Sequence, residues 1–170
     1  MKVKISPSRL CGEISAPPSK SYAHRLMICA ALAEGESTIH GISESEDMLA
    51  TLDCIAALGA RYEKCGDTVK IRGKTGKTPE GAVLRCRESG STLRFMIPPA
   101  LTGGRVRFEG TPRLLERGVG IYEQLLGDKG IEIKKYSGGI EFSGALTAGE
   151  YVLRGDVSSQ FITGLLFALP

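Results

Sequence analysis

The chain has 170 residues, of which 42% are hydrophobic, and it carries 22 lysines and arginines against 19 aspartates and glutamates. This length suffices for one folded core or for a pair of small repeated units. The net charge of +3 is too small to indicate a nucleic-acid or membrane surface, but it is compatible with a small anionic ligand.

The N-terminal segment, the cysteines and the histidines limit the protein class further. No apolar run approaches the roughly 20 residues that span a bilayer, and residues 1–7 alternate like a strand instead of forming a signal-peptide core, so we predict a cytoplasmic protein. The five cysteines include no C-x-x-C pair, which disfavours disulfides and zinc, and Cys29 and Cys54 are expected in the core. His24 and His40 lack a second ligand at metal-binding spacing. We predict no metal site and no cofactor.

Apolar periodicity in the first part of the chain predicts alternating strands and helices. In chain order, these are a strand at 2–5, a helix at 21–33, a strand at 37–42, a helix at 46–58, and a hairpin of strands 61–64 and 68–72. Gly59 follows the second helix where a C-terminal cap is expected.

The same order of elements then starts again. The predicted elements are a strand at 82–87, a helix at 89–101, a strand at 105–109, a helix at 118–127, a hairpin of strands 131–135 and 139–142, a strand at 151–154 and a helix at 158–168. Pro98 and Pro99 fall inside the helix at 89–101, where each removes a backbone hydrogen bond and a kink is expected.

The interval between matching positions is nearly constant. Arg94 lies 69 residues after Arg25, and Thr163 lies 69 residues after Arg94. A fixed period indicates a repeated structural unit. We therefore expect an α/β (α+β) fold of βαβαββ units in a pseudo-threefold arrangement. Its expected divisions are a leading strand segment at 1–18, a first unit at 19–87, a second at 88–154 and the start of a third at 155–170.

Small polar or cationic residues begin the first helix of each unit. They are Lys20-Ser21, Ser89-Gly90 and Ser158-Ser159. The free N–H groups and positive dipole end of a helix N-terminus attract anions, and parallel helices would bring three such ends to one face. Lys20 and Arg25 add charge, and an arginine can bind a carboxylate or phosphate through two hydrogen bonds. The sequence thus predicts a site for a phosphorylated or carboxylated ligand.

Other polar residues near these helix starts are further candidates. Arg94 faces either the ligand or an interior carboxylate, and the sequence does not decide between the two. Arg113 follows Pro112 after a predicted strand, where loops carry function, so we favour it over Arg117 as a ligand-binding cation. No general base stands out, since neither Glu88 nor Asp156 belongs to a recognisable catalytic grouping.

In combination, four motifs resemble the 5-enolpyruvylshikimate-3-phosphate synthase family. They are Ser19-Lys20-Ser21 with Arg25, the helix start at Gly90-Ser91, Thr111-Pro112-Arg113, and Val157-Ser158-Ser159-Gln160-Phe161, in the family's order over the whole chain. The resemblance implies a fold of two domains, each with three βαβαββ units whose helix N-termini point inward. It also implies transfer of the enolpyruvyl group of phosphoenolpyruvate to the 5-hydroxyl of shikimate 3-phosphate, with release of phosphate, in chorismate and aromatic amino-acid biosynthesis.

The resemblance assigns roles to individual residues. Lys20 would be catalytic and would contact both substrates. Shikimate 3-phosphate would be bound by Lys20, Ser21, Arg25, Ser158, Ser159 and Gln160. Phosphoenolpyruvate would be bound by Lys20, Gly90, Arg113 and Gln160, in the pocket that admits glyphosate in this family.

Two features depart from the family. The family commonly has Asn-Ala-Gly where this chain has Glu88-Ser89-Gly90, which places a carboxylate beside the anion site. The family's second domain, which supplies acidic residues and further cations, has no counterpart in these 170 residues. We therefore expect the chain alone to be inactive, although its full-length parent is an enolpyruvyl transferase, and we expect a monomer.

Two alternative functions stay open on the sequence. UDP-N-acetylglucosamine enolpyruvyl transferase shares the fold and the donor, but it typically has Lys-Asn where this chain has Lys20-Ser21, and many members have a cysteine in the loop occupied by residues 111–113. A non-catalytic phosphate-binding or nucleic-acid-binding module on the same repeats would bind RNA or DNA with a steep salt dependence. The aromatic content of 6% and the modest charge argue against nucleic acid.

Overall fold

A computed structural model describes residues 3, 4, 6, 7, 9 and 11–169 of the chain. The helices of this part are α1 (Lys20–Leu32), α2 (Glu46–Ala57), α3 (Gly90–Ala100), α4 (Pro112–Arg117), α5 (Gly120–Gly127) and α6 (Ser159–Leu166). The strands are β1 (Glu36–Ile39), β2 (Arg61–Cys65), β3 (Thr68–Arg72), β4 (Ala82–Arg87), β5 (Thr102–Gly110), β6 (Glu132–Tyr136) and β7 (Gly139–Ala145).

The strands form two sheets that follow one plan. The first is antiparallel with the order β1-β3-β2, and the second has the order β4-β5-β7-β6. In the second sheet β4 and β5 are parallel, and α3 supplies the crossover that a parallel pair needs, whereas β7 pairs antiparallel with β5 and β6. The strands β5, β7 and β6 therefore repeat the arrangement of β1, β3 and β2.

One hydrophobic cluster joins both sheets and the helices. In β4, buried Leu84 and Cys86 alternate with exposed Arg85, as expected for a strand with one face on a core. The cluster includes Met27 and Ile28 of α1, Leu52 and Ile55 of α2, Phe95 and Met96 of α3, Phe108 of β5 and Phe142 of β7. The helices that carry the candidate site residues are thus fixed to a shared core.

The sequence also predicted strands at 2–5 and 151–154. The one at 2–5 lies partly outside the described residues, since Lys2 and Ile5 are among those not described, while Val3 and Lys4 are exposed and belong to no strand. Residues 151–154 have no ladder partner within the described ranges, and Val152 is 77% exposed. A strand needs a neighbour for its backbone groups, so an apolar alternation alone did not suffice at 151–154.

The segment after β5 contains a helix where the sequence suggested a loop. The Thr111 hydroxyl accepts a hydrogen bond from the Leu114 amide at 3.2 Å, and Pro112 occupies the first helical position. Threonine as a cap followed by proline is a common helix start, so this signal was present in the sequence. The predicted helix at 118–127 correspondingly starts at Gly120.

The cysteine and proline predictions have mixed outcomes. Cys54 is buried as predicted, but Cys29 is exposed because it lies on the outer side of α1. Pro98 and Pro99 are buried in the last turn of α3, which continues to Ala100. Among the described residues, no helix has both the length and the apolar composition to cross a membrane, and α1, at 13 residues, is the longest.

Candidate anion-binding site

A serine caps the N-terminus of the first helix in each repeat. The hydroxyl of Ser19 accepts a hydrogen bond from the Tyr22 amide at 3.3 Å, and that of Ser89 accepts one from the Thr92 amide at 3.2 Å. Ser158 accepts one from the amide of Gln160 at 3.3 Å. Each cap satisfies one N–H group of its helix and leaves neighbouring first-turn N–H groups for a ligand.

Gln160 connects the first turns of α3 and α6. Its side-chain nitrogen donates to the Ser91 hydroxyl at 2.8 Å, and its side-chain oxygen accepts from the Arg94 guanidinium at 2.8 Å. Because Ser91 and Gln160 each lie in a first turn, the two helix N-termini open onto the same region. The alternative that Arg94 faces an interior carboxylate is wrong, since its hydrogen-bond acceptor is the amide of Gln160.

Arg25 connects α1 to both of the other helices. Its guanidinium lies 4.7 Å from the centre of the Phe95 ring on α3 and donates to the Thr163 hydroxyl on α6 at 3.3 Å. A second N–H donates to the backbone carbonyl of Ser21 at 2.9 Å. The three helices that the repeat predicted to share a site are therefore in contact through Arg25 and Gln160.

Lys20 begins α1 and forms an ion pair with Asp47 at the start of α2. The Lys20 side chain is 51% exposed, whereas that of Asp47 is 26% exposed. The ammonium group is therefore held at the surface, where solvent and a ligand can reach it. Ser21 and Ser159, the other predicted hydroxyl donors, are exposed.

A chain of buried polar groups lies beneath Lys20. The Nδ1 atom of His24 is 2.7 Å from the Thr51 hydroxyl, which is 2.8 Å from the Thr92 hydroxyl. Thr92 in turn donates to Ser89 at 2.7 Å, so the chain joins α1, α2 and the cap of α3. Burial lowers the pKa of His24 to about 4, although the nearby carboxylate of Asp47 raises it. His24 is therefore a neutral residue that links α1 to α2 through its hydrogen bond with Thr51.

A cavity of about 480 Å³ lies where α3, α5 and α6 meet. Its lining includes Arg94, Arg117, Gly120, Ser158 and Gln160. Burial and the nearby charge of Arg117 lower the pKa of the Arg94 guanidinium. Two cations, a hydroxyl and an amide can bind the oxygens of a phosphate or a carboxylate, which fits the ligand class that the sequence predicted.

Arg113 and Arg117 differ in position. Arg117 lines the cavity and donates to the backbone carbonyl of Glu88 at 3.2 Å. Arg113 has a side chain that is 80% exposed and lies 3.5 Å from the Glu88 carboxylate. The sequence favoured Arg113 because it follows proline. Arg117 lies one helical turn later on α4, and there its side chain reaches the other site residues.

Comparison with known proteins identifies the family to which the chain belongs. Residues 5–170 match the family model for EPSP synthase (3-phosphoshikimate 1-carboxyvinyltransferase). The chain belongs to the EPSP synthase family. The resemblance that the sequence motifs indicated is thus confirmed, and so is the expected α/β fold of an enolpyruvyl transferase.

Relatives in the EPSP synthase family cover nearly the whole chain. The 3-phosphoshikimate 1-carboxyvinyltransferase of Clostridium kluyveri is 43% identical over 171 aligned positions, and that of Clostridium beijerinckii is 42% identical over 178. Both alignments include 99% of this chain. The chain spans 40% of the first relative's length and 41% of the second's.

Solved structures of EPSP synthase show the same fold. The enzyme from Acinetobacter baumannii superposes with a TM-score of 0.72 at 26% identity, over 92% of this chain and 37% of that one. The enolpyruvyl transferase NikO from Streptomyces tendae, at 14% identity, has a TM-score of 0.52 over 91% of this chain and 37% of its own and shares the fold. The predicted fold thus extends to more distant enolpyruvyl transferases.

Proposed function

We propose that the protein of which this chain forms part catalyses enolpyruvyl transfer from phosphoenolpyruvate to the 5-hydroxyl of shikimate 3-phosphate, with release of phosphate. The chain would supply the N-terminal part of the substrate site. The observation that carries this proposal is the contact among α1, α3 and α6 through Arg25 and Gln160, which gathers serine-capped helix starts and several cations in one region. Membership of the EPSP synthase family supports the reaction.

The two substrates are both anions and repel each other, so a site must hold them together. Fixed cations and N–H groups do this and also stabilise charge that develops during the reaction. We assign Lys20 to both substrates as the catalytic residue, with Ser21, Arg25, Ser158 and Ser159 on shikimate 3-phosphate. Gln160 would bridge the two ligands.

Phosphoenolpyruvate would meet Gly90, the first residue of α3. A methyl group added at Gly90 would make van der Waals contact with the Arg94 guanidinium at 3.6 Å and with Leu114 at 3.9 Å, so a side chain there would take up space beside Arg94. For the accompanying cation we favour Arg117 over the sequence-predicted Arg113, because Arg117 lines the cavity together with Gln160. Glu88 lies 3.8 Å from Arg117 and would compete with the ligand for this charge.

Binding of shikimate 3-phosphate to this chain tests the proposal. In an NMR titration we expect shifts at Arg25 and at Ser159 that saturate at millimolar ligand or below. Shikimate, which lacks the phosphate, is expected to bind at least tenfold more weakly because the charge-assisted hydrogen bonds are lost.

Two variants complete this titration. Ser159→Ala should weaken binding of shikimate 3-phosphate, whereas Arg107→Leu, on the ion-paired outer face of β5, should leave it unchanged. Absence of any shift in the unmodified chain at millimolar shikimate 3-phosphate, with the protein folded, would contradict the assignment of the ligand.

Two properties of the parent enzyme stay predictions. We propose that it works as a monomer, and sedimentation of the full-length enzyme would test this. A cytoplasmic location is expected for an enzyme of small phosphorylated metabolites, and cell fractionation would test it.

A further inference from the structure

The side-chain amide of Gln160 has a defined orientation. An amide accepts hydrogen bonds at its oxygen and donates them at its nitrogen, and an arginine only donates. The Arg94 guanidinium, 2.8 Å away, therefore selects the oxygen of Gln160. The nitrogen then points the other way, where it donates to the Ser91 hydroxyl at 2.8 Å.

The Arg94 side chain packs beside an aromatic ring. Its guanidinium lies 5.2 Å from the centre of the Phe161 ring, and its Nε atom is buried without a hydrogen-bond partner. The backbone carbonyl of Arg94 accepts a hydrogen bond from the Tyr122 hydroxyl at 3.1 Å. Within the described ranges, no aspartate or glutamate forms an ion pair with Arg94. The side-chain oxygen of Gln160 is therefore the acceptor to which the Arg94 guanidinium donates.

We propose that Arg94 is a positioning residue that fixes the Gln160 amide with its N–H end toward the anionic ligand. The nitrogen carries two hydrogens, of which Ser91 takes one, so the second is free to bind a carboxylate or phosphate oxygen. Without Arg94 the amide could rotate by half a turn about its last torsion, which has two nearly equal minima. Its oxygen would then face the anion and repel it.

This assignment makes Arg94 a determinant of ligand class. Because the amide oxygen is bonded to Arg94, Gln160 can offer a ligand only its N–H donor. It therefore selects ligands that carry a hydrogen-bond acceptor, such as a carboxylate or a phosphate. The identity of that ligand as shikimate 3-phosphate or phosphoenolpyruvate rests on the function proposed above. The orientation of the amide does not, because it follows from contacts within the chain.

The orientation is testable without any ligand. In spectra of the 15N-labelled chain, the two side-chain amide protons of Gln160 report on its hydrogen bonds. We expect Arg94→Met, which keeps the length and packs against Phe161, to shift both resonances and to speed their exchange with water about tenfold. Arg94→Lys retains a cationic donor and should stay close to the unmodified chain. The matched control Arg107→Leu removes an arginine from the outer face of β5 and should change neither signal.

Unchanged Gln160 amide signals in folded Arg94→Met would overturn the proposal. Should Arg94→Met not fold, Arg94→Lys still decides the matter, since loss of the Gln160 hydrogen-bonded signals in a folded lysine variant would contradict positioning by a cationic donor. Both results are independent of whether shikimate 3-phosphate binds.

A double-mutant cycle on binding separates positioning from direct contact with the anion. With shikimate 3-phosphate as the probe, we expect Arg94→Met and Gln160→Met each to weaken binding about tenfold, and the double variant to be no weaker than about twentyfold. Independent contacts would multiply to about a hundredfold, and that result would refute action through Gln160. Failure of the unmodified chain to bind shikimate 3-phosphate would count against the proposed function alone.

Discussion

His24 shows how a single residue links the site to the stability of the fold. Burial lowers its pKa to about 4 from an ordinary value of 6.5, and the surrounding charged groups are Asp47, which raises this pKa, and Lys20 and Arg25, which lower it. The unfolded chain therefore binds a proton more readily than the folded one between these two pH values. The contribution of neutral His24 to the free energy of unfolding is therefore fully present above pH 6.5. It is lost as the pH falls toward 4, and the loss is about 3 kcal/mol in total.

Urea unfolding at pH 7 and at pH 5 tests this expectation. The free energy of unfolding should fall by about 2 kcal/mol between the two conditions, and the His24 imidazole should not titrate above pH 5 by NMR. In His24→Gln the fall should largely disappear, whereas His40→Gln, at an exposed position, should behave like the unmodified chain. An undiminished fall in His24→Gln would show that other groups cause it.

At the scale of elements, the hydroxyl of Tyr122 on α5 contacts backbone carbonyls of both α3 and α6. Pro98 has no N–H group, so the carbonyl of Arg94 four residues earlier lacks its helical donor, and the Tyr122 hydroxyl lies 3.1 Å from that carbonyl. The same hydroxyl lies 2.7 Å from the carbonyl of Phe161. This contact explains how a proline is accommodated inside a buried helix beside the candidate site.

Tyr122→Phe should therefore destabilise the protein by roughly 1–3 kcal/mol, because it removes the one O–H donor that these two carbonyls share. The hydroxyl of Tyr151 bonds the carbonyl of Thr147 at an exposed position, so Tyr151→Phe is the matched control and should cost less, because water can take the place of the lost donor. Urea unfolding of the two variants makes the comparison. Equal losses would mean that the Tyr122 hydroxyl has no special role between the helices.

At the scale of the whole molecule, the repeats share one core. Buried residues of both sheets and of α1, α2 and α3 belong to a single hydrophobic cluster. We expect cooperative unfolding in one transition, unlike a chain of independent units. Ile55→Ala, in α2, and Phe108→Ala, in β5, should each destabilise the protein by about 2–5 kcal/mol.

Methyl signals of Ile71 in the first sheet and Ile140 in the second would report on each sheet separately. Both signals should disappear at the same urea concentration in the unmodified chain and in each variant. A variant in which one sheet unfolds while the other persists would refute the shared core.

The sequence by itself determined the repeat, the three serine-capped helix starts and the family. These features depend on residues within one helical turn or on a regular period along the chain, so the sequence alone reveals them. The helix at 112–117 was overlooked, although Thr111-Pro112 is a local signal for its start. Its motifs also named Lys20, Arg25 and Gln160 as site residues, and the structure brings Arg25 and Gln160 into contact with the same helices.

Only the tertiary structure decided which groups face one another. The partner of Arg25 on α6 is 138 residues away in sequence, and that of Arg94 is 66 residues away, distances at which no local preference acts. The same is true of the buried chain from His24 through Thr51 to Thr92, and of the choice between Arg113 and Arg117 beside the cavity. Packing of the helices on the shared core sets these contacts, because a hydrogen bond forms only where the fold brings donor and acceptor within about 3 Å.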